Sequence, residues 1–351
     1  MKAWVLHGAG DIRFEETEMP SLKENEVMVR VKAAGVCGSD IPRVFRTGAH
    51  THPLIPGHEF SGIVESVGRN VQGVWLGQPV GVYPLLPCGI CYECQMGHPE
   101  MCRKYGYLGS RQDGGFAEYV SVPVTNLIEL PDGVSFEDGA MLEPHSVAVH
   151  AVRRVLGLLN RKHDKICICG LGPIGLMVTM ILVELEFADN LYLIGNRKQQ
   201  AVRAEKLGIK HDHIHDKGSS SADGWLREMA GEPTLYIDCS GNSESILFGI
   251  DHLAPGGRLI MVGNNEADLT IDKSAYSLIL RKQLVIYGSW NSTFLMTADD
   301  DWHYVLEKIS DNKIDPGVLI THRTALENLG SCLEMMRNKS EDYCKVMVVN
   351  K

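Results

Sequence analysis

The sequence lacks the features that mark a nucleic-acid-binding, membrane or secreted chain. Basic residues are in deficit: 34 Lys and Arg face 44 Asp and Glu, for a formal net charge of -10. Nucleic-acid binding relies on neutralising phosphates with Lys and Arg, so that partner class is excluded. A phosphorylated small molecule needs only a local basic pocket and stays open. Met1 leads straight into the strand-like alternation of Ala3 and Val5, with no basic start and apolar signal core, so no secretory leader is expected. Residues 166–183 carry no charge and reach the usual length of a membrane span. Gly170, Gly172, Pro173 and Gly175 break that run near its start. A strand, a tight turn and a buried helix explain it better, and no membrane partner is expected. Internal repeats and low-complexity segments are missing too. What remains is a soluble globular chain whose 351 residues suggest two domains.

The ten cysteines do not read as a disulfide framework, which belongs to short secreted chains. Reduced thiols and metal fit better, and they place the protein in the cytoplasm. Cys88, Cys91, Cys94 and Cys102 form one tight group, spaced C-x2-C-x2-C-x7-C, while Cys37, Cys167, Cys169, Cys239, Cys332 and Cys344 are scattered. Four thiolates complete a tetrahedral shell around zinc and leave no open place for a substrate, so such a site is structural. An iron–sulfur cluster is the rival reading.

The first 150 residues hold short β-patterned runs between glycines and prolines, such as 27–31 (VMVRV), 61–67 (SGIVESV) and 116–122 (FAEYVSV). They suggest a compact barrel or sandwich. From about Val147 strands alternate with helix-length segments; strand candidates are 165–169, 191–194, 235–238, 259–262 and 284–287. That alternation predicts a parallel, doubly wound sheet. A helix-like stretch, 326–337, and a strand, 345–349, end the chain and are expected to return to the first domain. The division is therefore 1–150, 151–290 and 291–351.

Three separate pieces suit a second metal: GVCGSD at 35–40, GHE at 57–59 and LEP at 142–144. Cys37, His58 and Glu143 would supply a thiolate, an imidazole and a carboxylate, three ligands with one position left open, as a catalytic zinc requires. Singly each has a plain structural reading: a buried small residue, a satisfied core histidine, and a helix-start cap beside Pro144.

Residues 170–175 read GLGPIG, directly after the strand KICIC and before an apolar helix. Gly170 permits the turn, Gly172 lets backbone approach a pyrophosphate, and Gly175 allows close helix packing. Pro173 and Ile174 complete the turn, and the helix N-terminus favours the phosphate charge. An NAD site expects Asp or Glu at the end of the next strand; here LYLI runs into Gly195, Asn196 and Arg197. Glycine makes room for a 2′-phosphate and Arg197 would grip it, so NADP is favoured and NAD stays possible. Arg281 is a further cofactor-site candidate.

The order GVCGSD, GHEFSG, clustered cysteines, LEP and GLGPIG resembles the zinc-containing medium-chain dehydrogenase/reductase family over essentially the whole chain. That resemblance implies an α/β protein, with a GroES-like β-rich catalytic domain and a Rossmann cofactor domain. It implies two zinc ions per chain, one catalytic and one structural. Cys37, His58 and Glu143 correspond to catalytic zinc ligands, and Glu59 to a carboxylate beside the metal that exchanges with water. Asp40 matches a residue that fixes the His58 tautomer, and Ser39 is the candidate proton relay. The segments 39–45, 48–50, 84–87 and 109–119 resemble those of polyol and polyol-phosphate dehydrogenases, whose substrates include galactitol 1-phosphate. Arg43, His50 and Arg111 are candidates to receive a substrate phosphate. Those relatives carry an acid where this chain has Gly195, and NADP would favour reduction of a keto-sugar phosphate. Sorbitol-type or threonine-type dehydrogenases using NAD, a zinc-independent reductase, and a non-catalytic NADPH sensor are the alternatives. Family members are dimers or tetramers, often pairing through the strand at 284–288.

Overall fold

The structure is a computed structural model that describes residues 1–265 and 267–350. The chain divides into two compact units, Met1–Ser146 with Ser292–Lys351, and Val147–Asn291.

The first unit is organised by one long strand, Glu26–Val36. One of its edges pairs with Glu59–Val67 along most of its length. The other pairs first with Tyr119–Pro123 and then with Lys345–Val349, all antiparallel. Register shifts after Met28 and Val31 bend the strand and let it serve all three neighbours. Ile320–Thr324 lies parallel beyond Lys345–Val349, while Pro79–Val82 and Leu127–Glu129 extend the opposite side. Alternating valines explain the pairing: Val27, Val29 and Val31 point into one core with Phe60, Val64, Phe116, Val120, Val346 and Val348. Each buried valine contributes roughly 1.5–3 kcal/mol. The terminal helix Leu329–Asn338 buries Leu329, Leu333 and Met336 in the same core.

The second unit holds a six-stranded, wholly parallel sheet. Taking its strands in chain order, the spatial order is 3-2-1-4-5-6, that of the dinucleotide-binding fold. Ile166–Cys169, Leu191–Ile194 and Leu235–Asp238 are buried at every residue, which is why they read as apolar runs rather than alternations. The fifth and sixth strands, Arg258–Met261 and Val285–Gly288, each begin one residue away from where the sequence pattern set them. The uncharged run becomes the strand Ile166–Cys169, the glycine turn and the helix Pro173–Glu184. Among the described residues no helix is long and apolar enough to cross a membrane.

The plain structural alternative for Glu143 does not hold. Glu143 does not cap a helix start: it sits with Pro144 inside the continuous helix Phe136–Leu156. Pro144 has no N–H for the Ala140 carbonyl, and the His145 ring donates from Nδ1 to the Met141 carbonyl at 2.9 Å. The boundary between the units also falls inside this helix.

Candidate active site

Sheet register assembles the site in the first unit. Gly35 lies opposite Glu59, so the chain just beyond Val36 meets the chain just before Glu59. The Cys37 thiol, a His58 ring nitrogen and a Glu59 carboxylate oxygen all come within 4.8 Å of one another. Asp40 is fully buried beneath them. It accepts from the Cys37 amide at 3.0 Å and from the Arg43 guanidinium at 2.5 Å. His58 Nδ1 faces Asp40 Oδ1 at 3.5 Å, too long for a formed hydrogen bond, and is buried without a closer partner. The other ring nitrogen is left for the cluster. Burial alone would lower the His58 pKa, but Asp40 and Cys37 outweigh it and raise it well above the ordinary range. Burial likewise opposes ionisation of Asp40, and His58 and Arg43 overcome it, holding that carboxyl low. Ser39 is exposed and its hydroxyl donates to the Cys37 sulfur at 3.2 Å.

Glu143 does not reach the same spacing. It is buried nearby and accepts from the Tyr107 hydroxyl at 3.1 Å. Burial pushes its carboxyl up to about 7; His58 and Lys345 act against that, and Glu59 adds to it. The Tyr107 ring meets the His58 ring edge-on, with centroids 5.8 Å apart.

The substrate candidates are less closely gathered. Arg43 spends one nitrogen on Asp40, which makes it a support of the His58 pair. Arg111 lies over the Tyr105 ring and lines a cavity of about 430 Å³ with Lys23, Thr51 and Asp113. Tyr105 in turn meets Tyr107 edge-on, so two rings separate Arg111 from His58. His50 is exposed in the bend at 50–53.

The four clustered cysteines converge as well. Cys91 and Cys94 sulfurs are 3.4 Å apart, Cys91 and Cys102 are 3.9 Å apart, and all four fall within 4.8 Å. Tetrahedral thiolates on zinc, with bonds of about 2.3 Å, stand roughly 3.8 Å from each other. Disulfides are far shorter, and a cluster of several irons would hold its thiolates further apart. The donor set fits a single tetrahedral ion. Amides of Ile90 and Cys91 pull the Cys88 thiol down to about 6; burial, with the Cys91 and Cys102 sulfurs, pushes Cys94 up to about 12. Arg103 donates to Glu93 at 2.8 Å and ties the short helix Tyr92–Gln95 to the end of the loop.

In the second unit, Gly170 has φ +95° and a Cβ there would sit 2.5 Å from the Ser240 amide nitrogen, so glycine is required. A Cβ on Gly175 would lie 2.0 Å from the Gly170 carbonyl. Gly172 is different: nothing stands within 4 Å of such an atom, which leaves open space where a phosphate approaches. Pro173 and Ile174 begin the helix behind it. The glycine turn opens on a cavity of about 440 Å³, whose far wall includes Gly195, Asn196, Lys217 and Ser219. Arg197 precedes the helix Lys198–Lys206, half-buried and outside that lining, and Arg281 is exposed at the end of another helix, also outside it.

Residues 23–132 match the alcohol dehydrogenase GroES-like domain, and residues 173–311 match the zinc-binding dehydrogenase family. Galactitol 1-phosphate 5-dehydrogenase of Escherichia coli is 33% identical over 341 residues, covering 96% of this chain and 97% of its own. The chain belongs to the zinc-containing medium-chain dehydrogenase/reductase family. The crystal structure of the Escherichia coli galactitol-1-phosphate dehydrogenase superposes with a TM-score of 0.89 at 31% identity, over 100% of both chains. An Escherichia coli alcohol dehydrogenase (RspB) complexed with NADH gives 0.88 at 27% identity, over 100% of this chain and 99% of that one. A Sinorhizobium meliloti protein bound to NADP gives 0.86 at 26% identity, over 99% of each chain. This medium-chain dehydrogenase is accordingly an oxidoreductase of the zinc-dependent alcohol and polyol class.

Three residues, two beside the metal cluster of the first unit and one in the cavity of the second, escaped sequence reasoning. Tyr107 lies in a two-residue strand, Gly106–Tyr107, too short to show a pattern. Lys217 follows the short third strand of the parallel sheet, Ile214–His215, a position recognisable only once sheet order is known. Lys345 binds both oxygens of Glu59 from a strand near the chain end.

Proposed function

We propose that this dehydrogenase interconverts a secondary alcohol and its ketone on a polyol phosphate or keto-sugar phosphate, with NADP as hydride carrier. The observation that carries the reading is the convergence of Cys37, His58 and an acidic side chain above buried Asp40. A catalytic zinc there would act as a Lewis acid on the substrate oxygen. Cys37 and His58 hold it, with Glu143 or Glu59 completing the set. Asp40, 3.5 Å behind Nδ1 of His58, is the group that would take up the Nδ1 proton's hydrogen bond and so orient the ring when the other nitrogen holds the metal. Ser39, exposed and bonded to Cys37, is placed to pass the hydroxyl proton to solvent. The glycine turn takes the pyrophosphate. Gly195 in place of an acid favours a 2′-phosphate, for which the cations are Lys217 in the cavity wall and Arg197, outside that lining but two residues along the chain from Gly195. The similarity to galactitol 1-phosphate 5-dehydrogenase supports a phosphorylated polyol, with Arg111, His50 and Arg43 as the basic groups available to it. Ten free cysteines suit a reduced cytoplasm.

The deciding experiment is a panel of polyols and polyol phosphates, each offered with NAD and NADP. Turnover of phosphorylated substrates with NADP supports the reading. Turnover of neutral alcohols alone removes the phosphate, and a clear preference for NAD removes the cofactor assignment.

A second, structural zinc is assigned to Cys88, Cys91, Cys94 and Cys102, giving two per chain. Cys94→Ser is expected to cost one metal equivalent by elemental analysis and to expose 88–102 to protease. Unchanged zinc content in a folded variant would disprove the site.

The assembly is proposed to be a homodimer or homotetramer built through the edge strand Val285–Gly288. Val285, Ile286, Tyr276 and Leu280 are exposed there beside an unpaired strand edge. Ile286→Asp is expected to halve the sedimenting mass; an unaltered mass would place the interface elsewhere.

A further inference from the structure

Asp238 is the last residue of the fourth strand of the parallel sheet, Leu235–Asp238, and is wholly buried. It pairs in register with Cys169, the last residue of the first strand. The strand order reverses between these two strands, and a dinucleotide binds such a sheet in the crevice outside their carboxyl ends. Among the described residues Asp238 has no cationic partner. Its Oδ1 accepts from the Ser240 amide at 3.2 Å, the Ser240 hydroxyl at 2.6 Å and the Ser245 hydroxyl at 2.7 Å. Its Oδ2 accepts from the Gly241 amide at 3.2 Å. A buried carboxylate is tolerated only when donors of this kind surround it.

Those donors share one location. Ser240 and Gly241 form the turn after the strand, and Ser245 lies in the first turn of the helix Ser243–His252. The carboxylate therefore joins the strand end, the turn and the helix that follows. Tyr236, two residues earlier and on the same strand face, extends the network, its hydroxyl 3.0 Å from that of Ser245. The turn is confined on both sides. A Cβ on Gly170 would sit 2.5 Å from the Ser240 amide nitrogen, and one on Gly263 would sit 2.1 Å from that of Gly241. Residues 240–241 are thus pressed between the glycine turn and the chain leaving the fifth strand. Val262 and Gly263, in that chain, donate their amides to the Asp238 carbonyl, both at 2.9 Å. Ser240, Asn242 and Ser245 line the cavity of about 440 Å³ on which the glycine turn opens, and Asp238 stands outside that lining.

We propose that Asp238 is a positioning residue for the dinucleotide, shaping the wall of the cofactor cavity through residues 240–245. This inference rests on the cofactor site assigned to the glycine turn. Asparagine cannot take its place. An amide has one acceptor oxygen where a carboxylate has two, so either the Gly241 N–H or the donors of Ser240 and Ser245 would meet an NH2 group. The turn then leaves residue 238, and Ser240 shifts in the cavity wall. Cys37, His58 and Glu59 belong to the other unit and keep their own contacts.

The test measures dissociation constants for NADH and NADPH by fluorescence titration, with kcat and both KM values on an alcohol that the parent turns over. Asp238→Asn is expected to weaken the better-bound nicotinamide at least about tenfold and to raise its KM. At saturating cofactor, kcat should stay within about threefold of the parent's and the KM of the alcohol within about twofold. Ser245→Ala keeps the carboxylate and removes a hydroxyl already bonded to Asp238 and Tyr236. It should move the cofactor constant in the same direction by a smaller factor, and it carries the test alone if Asp238→Asn does not fold. A cofactor constant equal to the parent's, whatever the change in Tm, would make Asp238 a support of the fold only and overturn the inference. Parallel losses in kcat, alcohol KM and cofactor binding would overturn it too, because they report general damage. Gly172→Glu checks the assignment beneath it by placing a carboxylate where the pyrophosphate is expected. If that variant binds the nicotinamides as the parent does, the cavity is not the cofactor's, and the inference falls with the assignment.

Discussion

Cys37→Ser or His58→Ala is expected to lower kcat by at least about 10³-fold while leaving the dissociation constant for NADPH within about threefold. A bound metal supplies several kcal/mol of charge stabilisation at the reacting oxygen, and each ~1.4 kcal/mol is a factor of ten in rate. Among the described residues, Cys37 and His58 supply the one thiol and the one imidazole of the cluster, beside Glu59. Glu59 and Glu143, bonded to Lys345 and Tyr107, are the carboxylates already counted toward that set, and neither supplies a thiolate or an imidazole. The cofactor turn, in contrast, is built from Gly170, Gly172 and Gly175 in a separate unit of the chain. Stopped-flow fluorescence for NADPH and steady-state assays on one preparation separate the two effects. Turnover within tenfold of the parent would remove the metal from the chemistry. An equal loss of NADPH binding would instead mean that the substitutions damage the fold.

Asp40→Asn tests a quieter part of the same site. The amide keeps the shape but loses the charge that faces His58 and Arg43. A loss in metal affinity of roughly 10–100-fold is expected, read by competition with a chelator. Affinity equal to the parent's would confine Asp40 to tying the Cys37 turn.

Cys37, His58 and Asp40 were legible in the sequence because each sits in a short motif at a strand end, where glycines mark the turn. The same holds for GLGPIG, since its three glycines meet three separate requirements of one turn. The strands of the parallel sheet were legible as apolar runs because burial on both faces removes polar residues from them. Ile320–Thr324 was not, for the opposite reason. It is an edge strand reading ITHRT, mostly half-buried or exposed, and its pairing with Lys345–Val349 leaves no apolar alternation to see. Lys345 shows where the pattern misleads. It heads an apolar strand and looks like a solvent-facing flank, yet it lies 286 residues from its partner and is buried. Only the sheet order, with Gly35 between them, brings the pair together. Arg43 misled in another way: an arginine near a metal motif suggests phosphate, whereas its nearest charge is Asp40, three residues before it.

Gly195→Asp is the sharpest test of the cofactor. The residue closes the second strand of the parallel sheet, where an acid would accept from the ribose 2′-hydroxyl of NAD and repel a 2′-phosphate. Steric demand there is modest but real. A Cβ would meet Gln200 Oε1 at 2.9 Å and Leu171 Cδ1 at 3.1 Å. Both are ends of side chains, although Gln200 Oε1 also accepts from the Asn196 amide at 2.9 Å, so the turn must shift slightly. Repulsion between a carboxylate and a doubly charged phosphate at this range, together with the lost room, is expected to lower kcat/KM for NADP by about 100-fold or more, roughly 3 kcal/mol. For NAD, kcat/KM should rise, because a hydroxyl pair replaces an empty wall. The ratio of the two is the readout, since a general loss of stability would depress both together. Arg197→Ala and Lys217→Ala then divide the remaining preference between the cation beside the turn and the one lining the cavity. If Gly195→Asp leaves the ratio unchanged, the 2′ position of the cofactor does not face this residue. The missing acid would then say nothing about which nicotinamide the enzyme uses.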